Sequence, residues 1–192
     1  MASDYLTLAA LKKTLSISAE TYADDDLTLA ITAASRAIDE YCGRFFYKDS
    51  SDATRKYTPL TGDFLYTDDL SAAPTSVTVN GTALVLGADY SLGDANALLD
   101  GWPYQALRSL ASTSLFPVAD VDSVVVVGKF GWPAVPSQIV SAATSQAARL
   151  MRRMREGAQG LVGYGFDGGG GSLPLVDPDL KLMLSPYRIR YE

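Results

Sequence analysis

The side chains best suited to chemistry in this sequence are carboxylates: Asp24-Asp25-Asp26 in one run, and Asp63 with Asp68-Asp69 in a second group. Consecutive aspartates cannot all turn inward as the ligands of a calcium loop do, so Asp24 to Asp26 read as the acidic start of a helix, stabilised by exposed amides and the helix dipole. Asp63, Asp68 and Asp69 sit among turn-forming residues. They could supply the carboxyl pair of a glycoside hydrolase, which needs two groups roughly 5 to 9.5 Å apart in a cleft. Nothing in their spacing selects that chemistry over solvated turns.

Other chemistry is excluded by composition. The chain has 192 residues and no histidine, which removes Ser-His-Asp and Cys-His nucleophiles and histidine-bound zinc. A single cysteine, Cys42, rules out an internal disulfide and thiolate clusters, and its place on an apolar helical face predicts an inert buried thiol. The glycine run Gly168 to Gly171 lacks the lysine and hydroxyl residue of a phosphate loop and reads as a linker. A net charge of −6 argues against a nucleic-acid-coating role. No catalytic residue, cofactor or metal is assigned, and the chain is read as not an enzyme. The absence of an apolar run of roughly 20 residues, and of a basic, then apolar start, predicts no membrane span and no cleaved leader.

The elements that position these residues follow from periodicity. Thr7 is placed to cap a short helix carrying Leu8, Leu11 and Leu15 on one face. Leu27, Ile31, Ala34, Ile38 and Tyr41 recur at helical spacing, predicting an amphipathic helix from about Asp25 to Cys42, stopped by Gly43. Its polar face would carry Thr28, Thr32, Ser35, Arg36, Asp39 and Glu40, and the run Arg44 to Tyr47 would pack under its end.

Extended structure is expected from about Asp49. Its clearest element is Ser76 to Leu86, where Asn80-Gly81 supplies a type I′ hairpin turn. Further strands are expected at Arg55 to Thr58, Tyr90 to Leu92, Ala97 to Leu99, Ala106 to Leu110 and Val121 to Lys129. Pro136 opens a third helix with Ile139, Ala143, Ala147, Leu150 and Met154 on one face, widened by Val140 and Met151, ending near Glu156-Gly157.

Two features invite partners. Arg149, Arg152 and Arg155 lie three apart on one polar side of the third helix; they suit the helix dipole together with an acidic neighbouring subunit, in preference to DNA phosphate. After the glycine run, Asp177-Pro178-Asp179 would cap a short helix, Leu180 to Leu184, and Ser185 to Tyr191 would be extended. Leu182, Tyr187, Arg188, Ile189, Arg190 and Tyr191 would anchor this tail, either as a strap on its own domain or as an arm on a partner. Deleting Leu173 to Glu192 is expected to abolish assembly while leaving the core folded.

The order of two blocks resembles the head-tail connector, or adaptor, family of long-tailed bacteriophages. The first is Tyr5 to Lys12 followed by Asp25 to Arg44; the second is Val125-Val126-Val127-Gly128-Lys129-Phe130-Gly131-Trp132, with Val135-Pro136 leading into the alanine-rich helix. The resemblance covers roughly the first 45 residues and 121 to 156; the β insertion and the glycine-rich tail depart from the smallest members.

The expected class is α+β: a small antiparallel-type helical bundle (1–48 and 132–156), an inserted β-rich subdomain (49–131), and a linker with an extended C-terminal arm (157–192). The resemblance implies a virion structural protein, made in the host cytoplasm and placed at the head–tail junction. It would form a homo-oligomeric ring, usually of twelve copies, bound to the portal protein above and to a tail-completion or neck protein below. Genomic DNA would pass through the lumen without sequence-specific binding, during packaging and ejection, past acidic residues that keep it from sticking. A tail-completion protein docked on the tail tube is the nearest alternative, and a carboxylate-dependent glycosidase a distant one.

Overall fold

The computed structural model describes residues 3–15, 22–111, 114–158 and 178–189. The chain forms two compact units: 46–134, and a second composed of 1–45 with 135–192. The class is mixed α+β.

The helical unit contains α1 (Leu8–Leu15), α2 (Asp24–Cys42), α3 (Ser137–Ala158) and α4 (Pro178–Leu184), the last followed by a 3-10 turn at Ser185–Tyr187. Thr7 caps α1 as expected, its hydroxyl oxygen accepting from the Ala10 amide at 3.2 Å. Leu6 and Leu11 stand at the two positions of a hydrophobic staple around that cap, and both are buried. Helix α2 ends at Gly43, whose φ of +69° is the left-handed conformation that glycine adopts without penalty; its amide donates to the Asp39 carbonyl at 2.8 Å. Pro136 stands just before α3, its carbonyl accepting from the amides of Ile139 and Val140.

Helices α2 and α3 form the main pair, and α1 packs on both. Their shared core uses Leu27, Ala30, Ile31, Ala34 and Ile38 from α2 and Ile139, Ala142, Ala143, Ala147 and Met151 from α3. So many alanines let two helix backbones approach closely. The apolar stripe of α3 differs in part from the expected one: Leu150 is half-buried and Met154 is 46% exposed, while Met151 is buried as expected and Ala142 is inside as well.

The β-rich unit has seven strands: β1 (Ala53–Tyr57), β2 (Phe64–Leu70), β3 (Ser76–Val79), β4 (Thr82–Leu84), β5 (Tyr90–Leu92), β6 (Tyr104–Ser109) and β7 (Val124–Gly128). They form two antiparallel sheets, ordered β1-β7-β3-β4 and β2-β6-β5. The hairpin at Asn80-Gly81 is present, with φ of +48° and +82° and Val79 opposite Thr82. In β7, Val124 and Val126 face inward and Val125 and Val127 are half-buried, the alternation of a sheet covered on one side. One core joins both sheets, with Leu65, Leu70, Val77, Leu107, Phe116 and Phe130 among its residues.

Two expectations fail here. Ala97 to Leu99 is not a strand but a tight turn, the amides of Leu99 and Asp100 both reaching the Asn96 carbonyl. Asp68 and Asp69, expected among turn residues, lie instead on β2 (Phe64–Leu70), whose register shifts between Tyr66 and Leu70. Among the described residues, no helix is long and apolar enough to cross a membrane.

Candidate interaction surface

Of the carboxylates first considered for catalysis, Asp68 and Asp69 are held as structural acceptors, while Asp63 is exposed before β2. Asp69 lies on β2, nearly buried; its Oδ2 accepts from the Trp132 indole N–H at 3.0 Å and its Oδ1 from the Gln105 amide at 3.1 Å. Asp68 takes the Arg55 guanidinium at 2.7 Å and the Tyr57 hydroxyl at 2.9 Å. Neighbouring residues on one strand therefore serve different partners, and they do not form a carboxyl pair across a cleft. Burial and the adjacent Asp68 charge raise the Tyr57 hydroxyl above its usual pKa. Asp24, Asp25 and Asp26 occupy the first turn of α2, with Asp24 2.5 Å from the Lys12 ammonium. Among the described residues no cluster of three or more His, Cys, Asp or Glu side chains could hold a metal.

The aromatic-glycine turn Phe130-Gly131-Trp132 stitches the β-rich unit together. Phe130 lies beneath the Arg55 guanidinium, 4.0 Å from its carbon. Gly131 has φ of +99°, and a Cβ there would fall on the Tyr47 carbonyl oxygen. Trp132, 1% exposed, has ring centroids of Phe46 and Trp102 at 5.2 and 4.9 Å. Phe46 thus belongs to this aromatic cluster.

In the helical unit, the residues preceding α1 form a clasp on α2. The Tyr5 amide donates to Ser35 Oγ at 3.1 Å, and its hydroxyl donates to Asp39 Oδ1. Arg36 pairs with Asp39 at 3.1 Å, donates to the Ser3 carbonyl at 2.8 Å and stands 5.7 Å from the Tyr5 ring centroid. Ser35 and Asp39 are consequently buried, contrary to their expected place on a solvated face, because Tyr5 covers them. Burial raises the Asp39 carboxyl to a pKa of about 6, against the opposing pull of Tyr5 and Arg36. No periodicity within α2 signals this. The available signal was the aromatic-leucine pair Tyr5-Leu6 just before a helix cap.

The tail residues form a second clasp. Leu180 and Leu184 are buried, while Leu182 on the same helix is 75% exposed. Tyr187 donates its hydroxyl to Gln138 Oε1 at 3.1 Å, the Arg188 guanidinium lies 5.5 Å over the Tyr41 ring, and the Ile189 amide donates to the Cys42 carbonyl at 2.9 Å. The tail therefore supplies a donor to one of the last carbonyls of α2, which have no partner within the helix. Cys42 beneath it is buried, and burial pushes its thiol up to about 11. Ser185–Tyr187 is a 3-10 turn where extended chain was expected, Pro186 fixing the φ of its central residue.

Arg190, Tyr191, Asp177 and the glycine run Gly168 to Gly171 lie outside the described residues. Of the basic cluster, Arg149 is half-buried and Arg152 exposed on α3; the backbone of Arg155 continues that helix, and its side chain is outside the described set. The seat occupied by Leu180 and Leu184 changes one expectation: removing the whole tail uncovers apolar surface, so it costs stability as well as any contact with a partner.

No protein family and no curated protein matches this sequence. Solved structures that share its fold include three chains from one kind of particle. A chain from the neck of an empty gene transfer agent particle, computed with C6 symmetry, superposes with a TM-score of 0.59 at 16% identity, over 98% of this chain and 92% of that one. A chain from the neck of the native particle, computed with C12 symmetry, gives 0.55 at 15% identity, over 100% and 97%. A chain from the virion of the native particle gives 0.55 at 17% identity, over 98% and 92%. The likeness extends through both units and embraces nearly the whole of each chain.

Proposed function

We propose that this chain is a structural protein of the neck of a phage-like particle, a non-enzymatic adaptor that forms a homo-oligomeric ring beneath the portal. The observation that carries the reading is the match in fold, over nearly the full length of both partners, to chains taken from particle necks. The symmetry with which those necks were computed suits a ring of identical copies, as does the sequence resemblance of the two helical blocks to head-tail connectors.

On this reading the ring binds the portal on one side and a tail-completion or neck protein on the other, and genomic DNA passes through its lumen during packaging and ejection. Arg149, Arg152 and Arg155 face an acidic surface of a neighbouring subunit. Leu182, Tyr187, Arg188, Ile189, Arg190 and Tyr191 belong to an arm that engages the portal or an adjacent copy, and many such contacts act multivalently, so that no single one need be tight. The net charge of −6 keeps the passing genome from adhering to the wall.

The test is to locate the protein in the virion of origin. An antibody against this chain, viewed by negative-stain microscopy, is expected to decorate the junction between head and tail. Decoration of the capsid shell or tail tip would overturn the reading, and decoration of isolated tails would favour a tail-completion protein.

A further inference from the structure

The clasp formed by residues 178–189 is built from two parts that the sequence places far apart. Its seat is Tyr41, Cys42 and Gly43 at the end of α2, with Gln138 at the start of α3. The strap reaches that seat by returning along α3: Tyr187 meets Gln138, whereas the described part of that helix runs on to Ala158. From Gln138 to Ala158 an α-helix rises about 30 Å. The strap's own helix, Pro178–Leu184, is about 10 Å long.

The connection over 159–177 contains about twenty residues and can span up to roughly 65 Å when extended. That is at least twice what the return within one chain requires. Among the described residues, the contacts that hold the strap include two buried leucines, the Tyr187 and Ile189 hydrogen bonds, and Arg188 over Tyr41. An element joined to its helix by a connection of that length, and held in a seat that every copy carries, meets the requirements for exchange between identical subunits.

We infer that when copies assemble side by side, the strap of each one occupies the α2–α3 seat of its neighbour, making the same contacts in trans that it makes in cis when alone. The occupant is a second copy of this chain. The inference rests on the ring proposed above and names which contact closes it. Because the contacts are identical in both arrangements, exchange adds a link at every interface without a new surface. The tether length then decides how far apart neighbouring subunits can stand.

Gly43 provides the test. A Cβ added there would lie 3.8 Å from the Ile189 Cβ, the separation found in disulfides. With Cys42→Ala as background, the double variant Gly43→Cys/Ile189→Cys, oxidised as isolated protein, should close a disulfide within one chain, which checks folding and docking together. Gly43→Cys alone and Ile189→Cys alone are then mixed in equal amounts with the portal ring, and the assembly is isolated by mass and oxidised. A disulfide can now form only between copies.

Covalent heterodimer, enriched at least tenfold over the same mixture without portal, is the expected result. Rings of full mass with no heterodimer overturn the exchange and leave the ring intact. Absence of any ring overturns the proposed function and the exchange with it. Because cysteine at position 43 must adopt positive φ, a second pair, Gln138→Cys with Tyr187→Cys joined by a short bismaleimide, is run under the same mixing scheme with the same outcomes.

Discussion

The Trp132 indole donates to Asp69 across 63 positions of sequence, at 3.0 Å, and the carbonyl of the same aspartate accepts from the Gly131 amide at 2.7 Å. Side chain and backbone of one residue thus hold both halves of the Gly131-Trp132 turn. Asp69→Ala would leave the indole N–H and the Gln105 amide without their acceptor in a nearly dry site. The expected loss is about 2–4 kcal/mol, read as a lower midpoint in urea unfolding followed by tryptophan fluorescence. Asp69→Asn, which keeps one acceptor oxygen, should lose less.

Glycine is required at position 131 for two reasons and at position 81 for only one. Both have positive φ, but a Cβ at 131 would strike the Tyr47 carbonyl, while nothing lies within 4 Å of one at 81. Gly81→Ala should cost about 1 kcal/mol. Gly131→Ala should cost more than about 3 kcal/mol. Thermal melts of the two variants check the contrast; equal costs would contradict it.

Asp39 should make stability depend on pH in an unusual direction. Its pKa rises from 3.8 to about 6 because burial disfavours the charged form. The folded protein therefore binds the proton more tightly than the unfolded chain does. This contribution is fully present below about pH 4 and is lost as pH rises through 6. Between pH 4.5 and 7.5 the loss is on the order of 2 kcal/mol. Asp39→Asn should flatten that dependence, with wild type and variant compared by urea midpoints across the range. An unchanged slope would show that the Tyr5 clasp is not the source.

Arg152 is exposed on α3, and its replacement by glutamate should change the melting free energy by less than about 0.5 kcal/mol. Its effect should fall on assembly, weakening it most at low salt, where charge pairing across an interface is strongest. Native mass measurements over a salt series separate the two readouts. A variant that assembles normally at every salt concentration would remove Arg152 from the interface.

These contrasts also show where the sequence was legible. Helix α2 could be read because its apolar residues recur within a single stretch, and the β3–β4 hairpin because Asn80-Gly81 dictates its own turn. Strand β2 could not. Asp68-Asp69 favours turns locally; pairing with β6 makes the segment a strand, and Arg55, Tyr57, Gln105 and Trp132, on other elements, satisfy its two carboxylates. Ser35 and Asp39 were missed for the same reason, since their cover is Tyr5. The tail anchors Tyr187, Arg188 and Ile189 stand out in the sequence, but their seat at Tyr41 to Gly43 and Gln138 arises only on folding.

The central claim is that this chain builds a ring on a portal. Its most direct test is light-scattering mass after size-exclusion chromatography, for the protein alone and mixed with the portal ring of the same particle. The account predicts a new co-eluting species whose mass equals the portal ring plus a fixed whole number of copies, twelve if the ring matches the usual portal. Separate peaks of unchanged mass across a range of salt concentrations would contradict it.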